Sequence, residues 1–155
     1  MRLLNFYEKK FKFYLILIIG VFAFDNLLAI QSDYFSKAKL LFDNKDFEKS
    51  KFFFEKDIVF NPRSENSYLY LAKIFKKNEN DEQEEKNLDT VLLLNPKNEE
   101  AMYLLTLLKI KQSDYNGARD LIKKFELVCK SFCNKKNEIQ NKFNKLIPKN
   151  EKNKN

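Results

Sequence analysis

No histidine occurs among the 155 residues. The commonest general base and the commonest metal ligand are therefore missing, and with them every Ser–His or Cys–His nucleophile pair. Two glycines leave no phosphate-cradling loop of the GxGxxG or GxxxxGK kind. Tryptophan is absent, and only two cysteines are present, Cys129 and Cys133. Two thiols make half a tetrahedral zinc set, and no imidazole completes it. Their Cys-x3-Cys spacing is also one residue too long for a redox Cys-x-x-Cys motif. No paired acids and no nucleophile with its base stand out elsewhere. The chain is expected to be no enzyme and to carry no cofactor.

Positive charge is present but gathered at the ends. The formal net charge is +7. Beyond Cys133, seven lysines face only Glu138 and Glu151, and the first 29 residues add Arg2, Lys9, Lys10 and Lys12 against Glu8 and Asp25. The region between is close to neutral. Nucleic-acid binding asks for basic residues collected on a folded face with a readable motif. No specific nucleic-acid contact is expected from this pattern, and residues 148–155 read as a disordered basic tail.

Residues 1–29 read as a targeting segment. A basic stretch ending at Lys12 precedes the apolar run Phe13–Phe24. Twelve residues fall short of the roughly 20 that a bilayer span needs, but lie within the roughly 7–15 of a signal-peptide core. Leu28-Ala29 offers a cleavage point before Ile30, although Leu27 stands where a small residue is preferred. Val21-Phe22-Ala23 is a second such point. No cysteine follows the run closely, so a lipoprotein anchor is excluded. Two readings stay open: a cleaved signal peptide, or a retained anchor in which Leu27–Ile30 extends the span past Asp25. Both place the remainder outside the cytoplasm, in the periplasm or tethered to the inner membrane, and both engage the membrane at least during export.

From Ser32 onward the apolar period is helical. Tyr34, Ala38, Leu41 and Phe42 recur at three-and-four spacing, with Ser32 or Asp33 as cap. Phe47, Ser50, Phe54 and Ile58 mark a second helix that ends at Asn61-Pro62. Tyr68, Leu71, Ala72 and Phe75 repeat the first face; Leu88, Val91, Leu92 and Leu94 repeat the second, up to Asn95-Pro96. Pro62 and Pro96 are 34 residues apart. A third unit carries Ala101, Met102, Leu105, Thr106 and Leu108, then Leu121, Ile122, Phe125 and Val128, with Cys129-Lys130 in place of Asn-Pro. Asp46-Phe47 and Asp114-Tyr115 mark the turns at twice the same period. A last helix carries Ile139, Phe143, Leu146 and Ile147 on one side, before Pro148.

This pattern resembles the tetratricopeptide repeat (TPR) over residues 31–128, in its period of 34 and in its residue types. Tyr34 stands where that family places a large aromatic, Ala38 and Ser50 where small residues let paired helices approach, and Pro62 where a proline closes the unit. Departures are Asp57, where alanine is usual, and Asp81 and Glu84, which replace the aromatic and small residue of the second turn. A charge at Asp57 is expected near the packed face unless the helix rotates. Glu79, Asp81, Glu82, Glu84 and Glu85 lack the glycine and ligand spacing of a calcium loop. They are expected to form a solvated turn whose acids favour the start of the next helix.

The resemblance implies an all-α, right-handed solenoid of about three helix–turn–helix repeats, with the last helix as cap. It also implies a concave groove, lined by the first helix of each repeat, that binds a protein or peptide partner. In this register the groove carries Phe35, Lys39 and Phe42; then Leu69, Lys73, Lys76 and Lys77; then Tyr103, Leu107 and Ile110. Apolar anchors between lysines suit a peptide with apolar side chains and an acidic group. The other reading is a solvated face with no selective ligand. Cys129 and Cys133 are either a disulfide or two free thiols. Residues i and i+4 of a helix hold their Cβ atoms about 5–6 Å apart, so a bridge needs the chain to turn between them.

Overall fold

The computed structural model describes residues 34–147, and all regular structure among them is helical. The expected leader over 1–29, the capping residues Ser32 and Asp33 and the tail over 148–155 lie outside the described residues. The chain divides at Asn61–Pro62 into two compact units. The first holds α1 (34–43) and α2 (Phe47–Phe60). The second holds α3 (Glu65–Lys77), α4 (Asp81–Leu94), α5 (Glu99–Lys111), α6 (Tyr115–Val128) and α7 (Lys136–Leu146), with a 3-10 turn over Cys133–Lys135 before α7. Among the described residues no helix is long and apolar enough to cross a membrane.

One turn, made three times, sets the repeat. Lys45, Glu79 and Ser113 each adopt a left-handed backbone, with φ of 64°, 53° and 62°. Around each, the amide three residues past the helix end bonds five residues back: Asp46 to Leu41, Asn80 to Phe75 and Asp114 to Lys109, at 2.9, 3.0 and 2.9 Å. The left-handed residue itself bonds three back, which completes a Schellman closure. The next side chain then caps the following helix. Asp46 accepts from the Lys49 amide, Asn80 from Gln83 and Asp114 from Gly117. Each helix end and the next helix start are thus satisfied within a few residues.

Packing repeats with the same period. Ala38, Ala72 and Thr106 are buried on the first helices, and Ser50, Glu84 and Ala118 on the second. The Ser50 hydroxyl donates to the Ala38 carbonyl at 2.9 Å, across the first pair. Thr106 donates to its own helix, at the Met102 carbonyl. Phe54, Leu88 and Ile122 fill the next position, and Asp57, Val91 and Phe125 the one after. Asp57 is buried, so α2 does not rotate it away from the packed face.

Within the second unit, Leu69, Ala72, Leu88 and Val91 form a core with Ala101, Leu104, Leu105 and Leu108 of α5. A second core joins Met102 and Ile110 of α5 with Ala118, Ile122 and Phe125 of α6 and Ile139 and Phe143 of α7. The last helix therefore covers the open side of the third pair, as expected of a cap. Leu146 is the exception: it is 55% exposed, while Ile147, one residue past the helix end, is buried instead.

The disulfide between Cys129 and Cys133 is present, with Cα atoms 5.2 Å apart. Cys129 ends α6 in an extended conformation, so the chain does turn between the two thiols. Glu99 holds that turn by accepting from the Ser131 and Phe132 amides at 2.9 and 2.7 Å. Glu65, one repeat earlier, accepts in the same way from the side-chain amides of Asn95 and Asn98. The first residue of α3 and of α5 thus fastens the loop that follows the next helix.

Two stability measurements test this packing. Ala72→Leu should cost about 1–3 kcal/mol in thermal or denaturant unfolding, because it overpacks a buried position; parental stability would show that this register is wrong. Ser113→Gly should gain about 0.5–1 kcal/mol, the left-handed penalty of an L-residue less the added chain entropy of glycine.

Candidate functional site

The second unit holds an open cleft of about 480 Å³. Leu107, Leu108 and Ile110 of α5 form its apolar side, and Leu146 of α7 stands opposite them. Lys76 and Glu79 enter from the end of α3, Glu84 from α4, Lys111 from α5 and Lys142 from α7. Four helices thus contribute side chains to one concavity. A hollow of about 710 Å³ along α4 is lined by Glu82, Glu85, Lys86, Asp89, Thr90 and Leu93 of that helix alone, so it lacks this convergence.

The rim charges are mostly paired. Lys111 lies 2.6 Å from Asp81, and Lys142 lies 3.1 Å from Glu138. Beside the cleft, Lys109 lies 2.6 Å from Glu85, whose other oxygen accepts from Gln112. The acidic turn is therefore not a solvated cluster. Asp81 and Glu85 tie the start of α4 to the end of α5, and Glu84 is 3% exposed. Burial raises the Glu84 carboxyl above its ordinary pKa, while Lys76 and Lys111 pull it back and Asp81 adds to the rise.

The sequence-predicted groove residues fall into distinct groups. Leu107, Lys76 and Ile110 do line the cleft. Ile110, however, is 4% exposed and belongs to the core beneath α7, and Leu69 is 6% exposed in the core shared with α5. Neither is the exposed anchor expected of it: a neighbouring helix covers the face that periodicity alone left open. Lys73 is 2.8 Å from Glu100 and lies over the Tyr70 ring, so it bridges α3 to α5. Lys77 is exposed at the end of α3. In the first unit, Phe35 packs on Phe54 and Phe42 on Phe47, at 5.8 and 5.3 Å between ring centres, and Lys39 pairs with Asp43.

Tyr103 is claimed by the cap. Its hydroxyl donates to Glu138 at 2.8 Å, and Lys135 sits over its ring. Burial first, and then Glu138, push the Tyr103 hydroxyl up to about 12. Donation from Tyr103, then from Lys135 and Lys142, holds Glu138 at about 2. The residues that sequence reasoning missed are Glu84, Lys111, Lys142 and the outward turn of Leu146. Only Glu84 left a signal, as a long acid at a small-residue position.

No family model matches the sequence, and no curated protein matches it. Solved structures do. The Arabidopsis OM64 TPR domain superposes with a TM-score of 0.68 at 16% identity, covering 76% of this chain and 96% of that one. The Sgt2 TPR domain from Aspergillus fumigatus gives 0.63 at 15% identity, covering 81% and 82%. A chain of the CopN–Scc3 complex gives 0.63 at 18%, covering 72% and 67%. The fold is all-α and TPR-like.

The Tyr103–Glu138 contact makes a pH prediction. Glu138 ionises more readily folded than unfolded, so its contribution is complete above about 4.5 and is lost as pH falls toward 2. Tyr103 acts at the other limit: its contribution is present below 10.0 and is lost as pH rises toward 12. Glu138→Gln should flatten the acid limb of a stability–pH curve in that lower window. An unchanged limb would show that the contact does not hold the cap.

Proposed function

We propose that this chain is a non-enzymatic scaffold, exported from the cytoplasm, that holds a protein or peptide partner in the cleft between α3, α5 and α7. The convergence of four helices on one concavity with an apolar side carries this reading. Leu146 supports it further, as a half-exposed apolar side chain that lines this cleft together with Leu107 and Leu108. The TPR-like fold supports it as a class expectation. Export rests on the basic and apolar pattern of residues 1–29. The Cys129–Cys133 bridge supports it, because disulfides persist in oxidising compartments.

A second reading keeps residues 1–29 as an inner-membrane anchor and makes the repeats an assembly element of an envelope complex. Val59, Leu93 and Leu127 favour it. They occupy the same repeat position and are all exposed, at 74%, 81% and 85%. N-terminal sequencing of the mature protein separates the two readings: a start near Ile30 supports the free scaffold, and a retained Met1 the anchored form.

Two measurements test the main reading. Residues 1–32 fused to a reporter active only outside the cytoplasm should give activity; a stable but silent fusion overturns export. A photocrosslinking residue at position 146 should capture a partner that one at position 154 does not. Leu146→Ala should then weaken that partner by roughly 1–2 kcal/mol, about 5- to 30-fold, with the helical fold intact. Capture from the tail and none from the cleft would sink the proposal.

A further inference from the structure

Glu84 breaks the rule of its own position. One repeat earlier the same place holds Ser50 and one repeat later Ala118, and both are buried where paired helices approach. A glutamate stem fits there only if its carboxylate leaves the interface between α3 and α4. The residue is 3% exposed, yet it lines the cleft. No described side-chain oxygen is both shut from solvent and without a hydrogen bond. Among the described residues none donates a hydrogen bond to the Glu84 carboxylate, so its oxygens open onto the cleft.

The neighbouring cations do not supply a bond. Lys111 is committed to Asp81, Lys142 to Glu138, and Lys109 to Glu85. Lys76 acts on Glu84 through its charge alone. A carboxylate on a residue only 3% exposed is costly without a partner. Burial accordingly raises its pKa, which is the expected response of an acid lacking a donor. The acceptor is thus in place and the donor is missing.

We propose that Glu84 recognises a basic side chain, lysine or arginine, of a polypeptide lying in this cleft; the inference rests on the cleft being the binding site. Leu107, Leu108 and Leu146 receive the aliphatic stem, as apolar walls do for long cationic side chains. The carboxylate takes the charged head, by two parallel bonds where the head is a guanidinium. An acidic side chain meets the opposite situation: two of the three rim lysines are already neutralised by Asp81 and Glu138, and Glu84 repels it. The cationic partner is therefore favoured over the acidic one that the lysines of α3 imply when read from sequence.

The test uses the full-length protein and three fluorescent peptides, acetyl-Leu-Leu-Xaa-Leu-Leu-amide with Arg, Gln or Glu at the centre. The Arg peptide should bind at least about tenfold more tightly than the Gln peptide, and the Glu peptide most weakly. Glu84→Gln should remove that order, and Leu146→Ala should weaken all three. Carbon-13 NMR of the unsubstituted protein should show the Glu84 carboxyl titrating at lower pH with the Arg peptide bound, which decides the matter even where Glu84→Gln folds poorly. Equal binding, a preference for Glu, or an order that survives Glu84→Gln overturns the inference and leaves the cleft as a binding site. No binding sensitive to Leu146→Ala overturns the cleft and the inference together.

Discussion

The structure depends on how closely two helices of a pair can approach. A small residue on each, at Ala38 and Ser50 in the first pair, lets the backbones come near enough for the serine hydroxyl to reach the opposite carbonyl. Close approach brings the larger side chains on either side, Phe54 and its counterparts Leu88 and Ile122, into full burial. The turn must deliver the second helix at that distance and angle every time. A left-handed residue followed by an Asp or Asn cap does so at 45–46, 79–80 and 113–114. Local turn chemistry and tertiary packing therefore share one period.

What was legible in the sequence follows from that sharing. The small residues, the caps and the prolines recur at a fixed spacing, so the pairs and their boundaries could be read directly. The cap helix could be read from Ile139 and Phe143, whose spacing leaves one apolar side. The groove was less legible. Periodicity tells which residues share a face of α3 or α5, but not which neighbour lies on it. Leu69 and Ile110 have the pattern of exposed anchors, yet α5 takes the first into its core and α7 covers the second. Lys73 has a similar feature that periodicity does not reveal: it pairs with Glu100, one repeat step on.

Charge is arranged to hold one helix pair to the next. Glu65 and Glu99 open α3 and α5 and each fastens the loop after the following helix, one through asparagine amides and one through backbone amides. The Glu99 carboxyl is held below its ordinary range, first by the Phe132 amide. Asp81 and Glu85 reach instead to Lys111 and Lys109, so the start of α4 and the end of α5 are cross-tied. Single exposed pairs of this kind contribute little. Their common placement at repeat junctions matters more, because stacked repeats are stabilised through their nearest-neighbour interfaces.

Glu84 takes its meaning from this arrangement. In the same turn, Asp81 and Glu85 find lysines on α5, and both are satisfied. Glu84 lies between them in sequence but on the face that packs against α3, where the repeat calls for a small residue. The residue is buried in the pair, and it lines the cleft. A purely structural role predicts the substitution that the other two repeats show, serine or alanine, which removes a buried charge and keeps the close approach. An acid retained there incurs a desolvation cost that the charges of Lys76 and Lys111 offset only in part, and no described residue donates it a hydrogen bond. A basic side chain lying in the cleft would supply the missing donor.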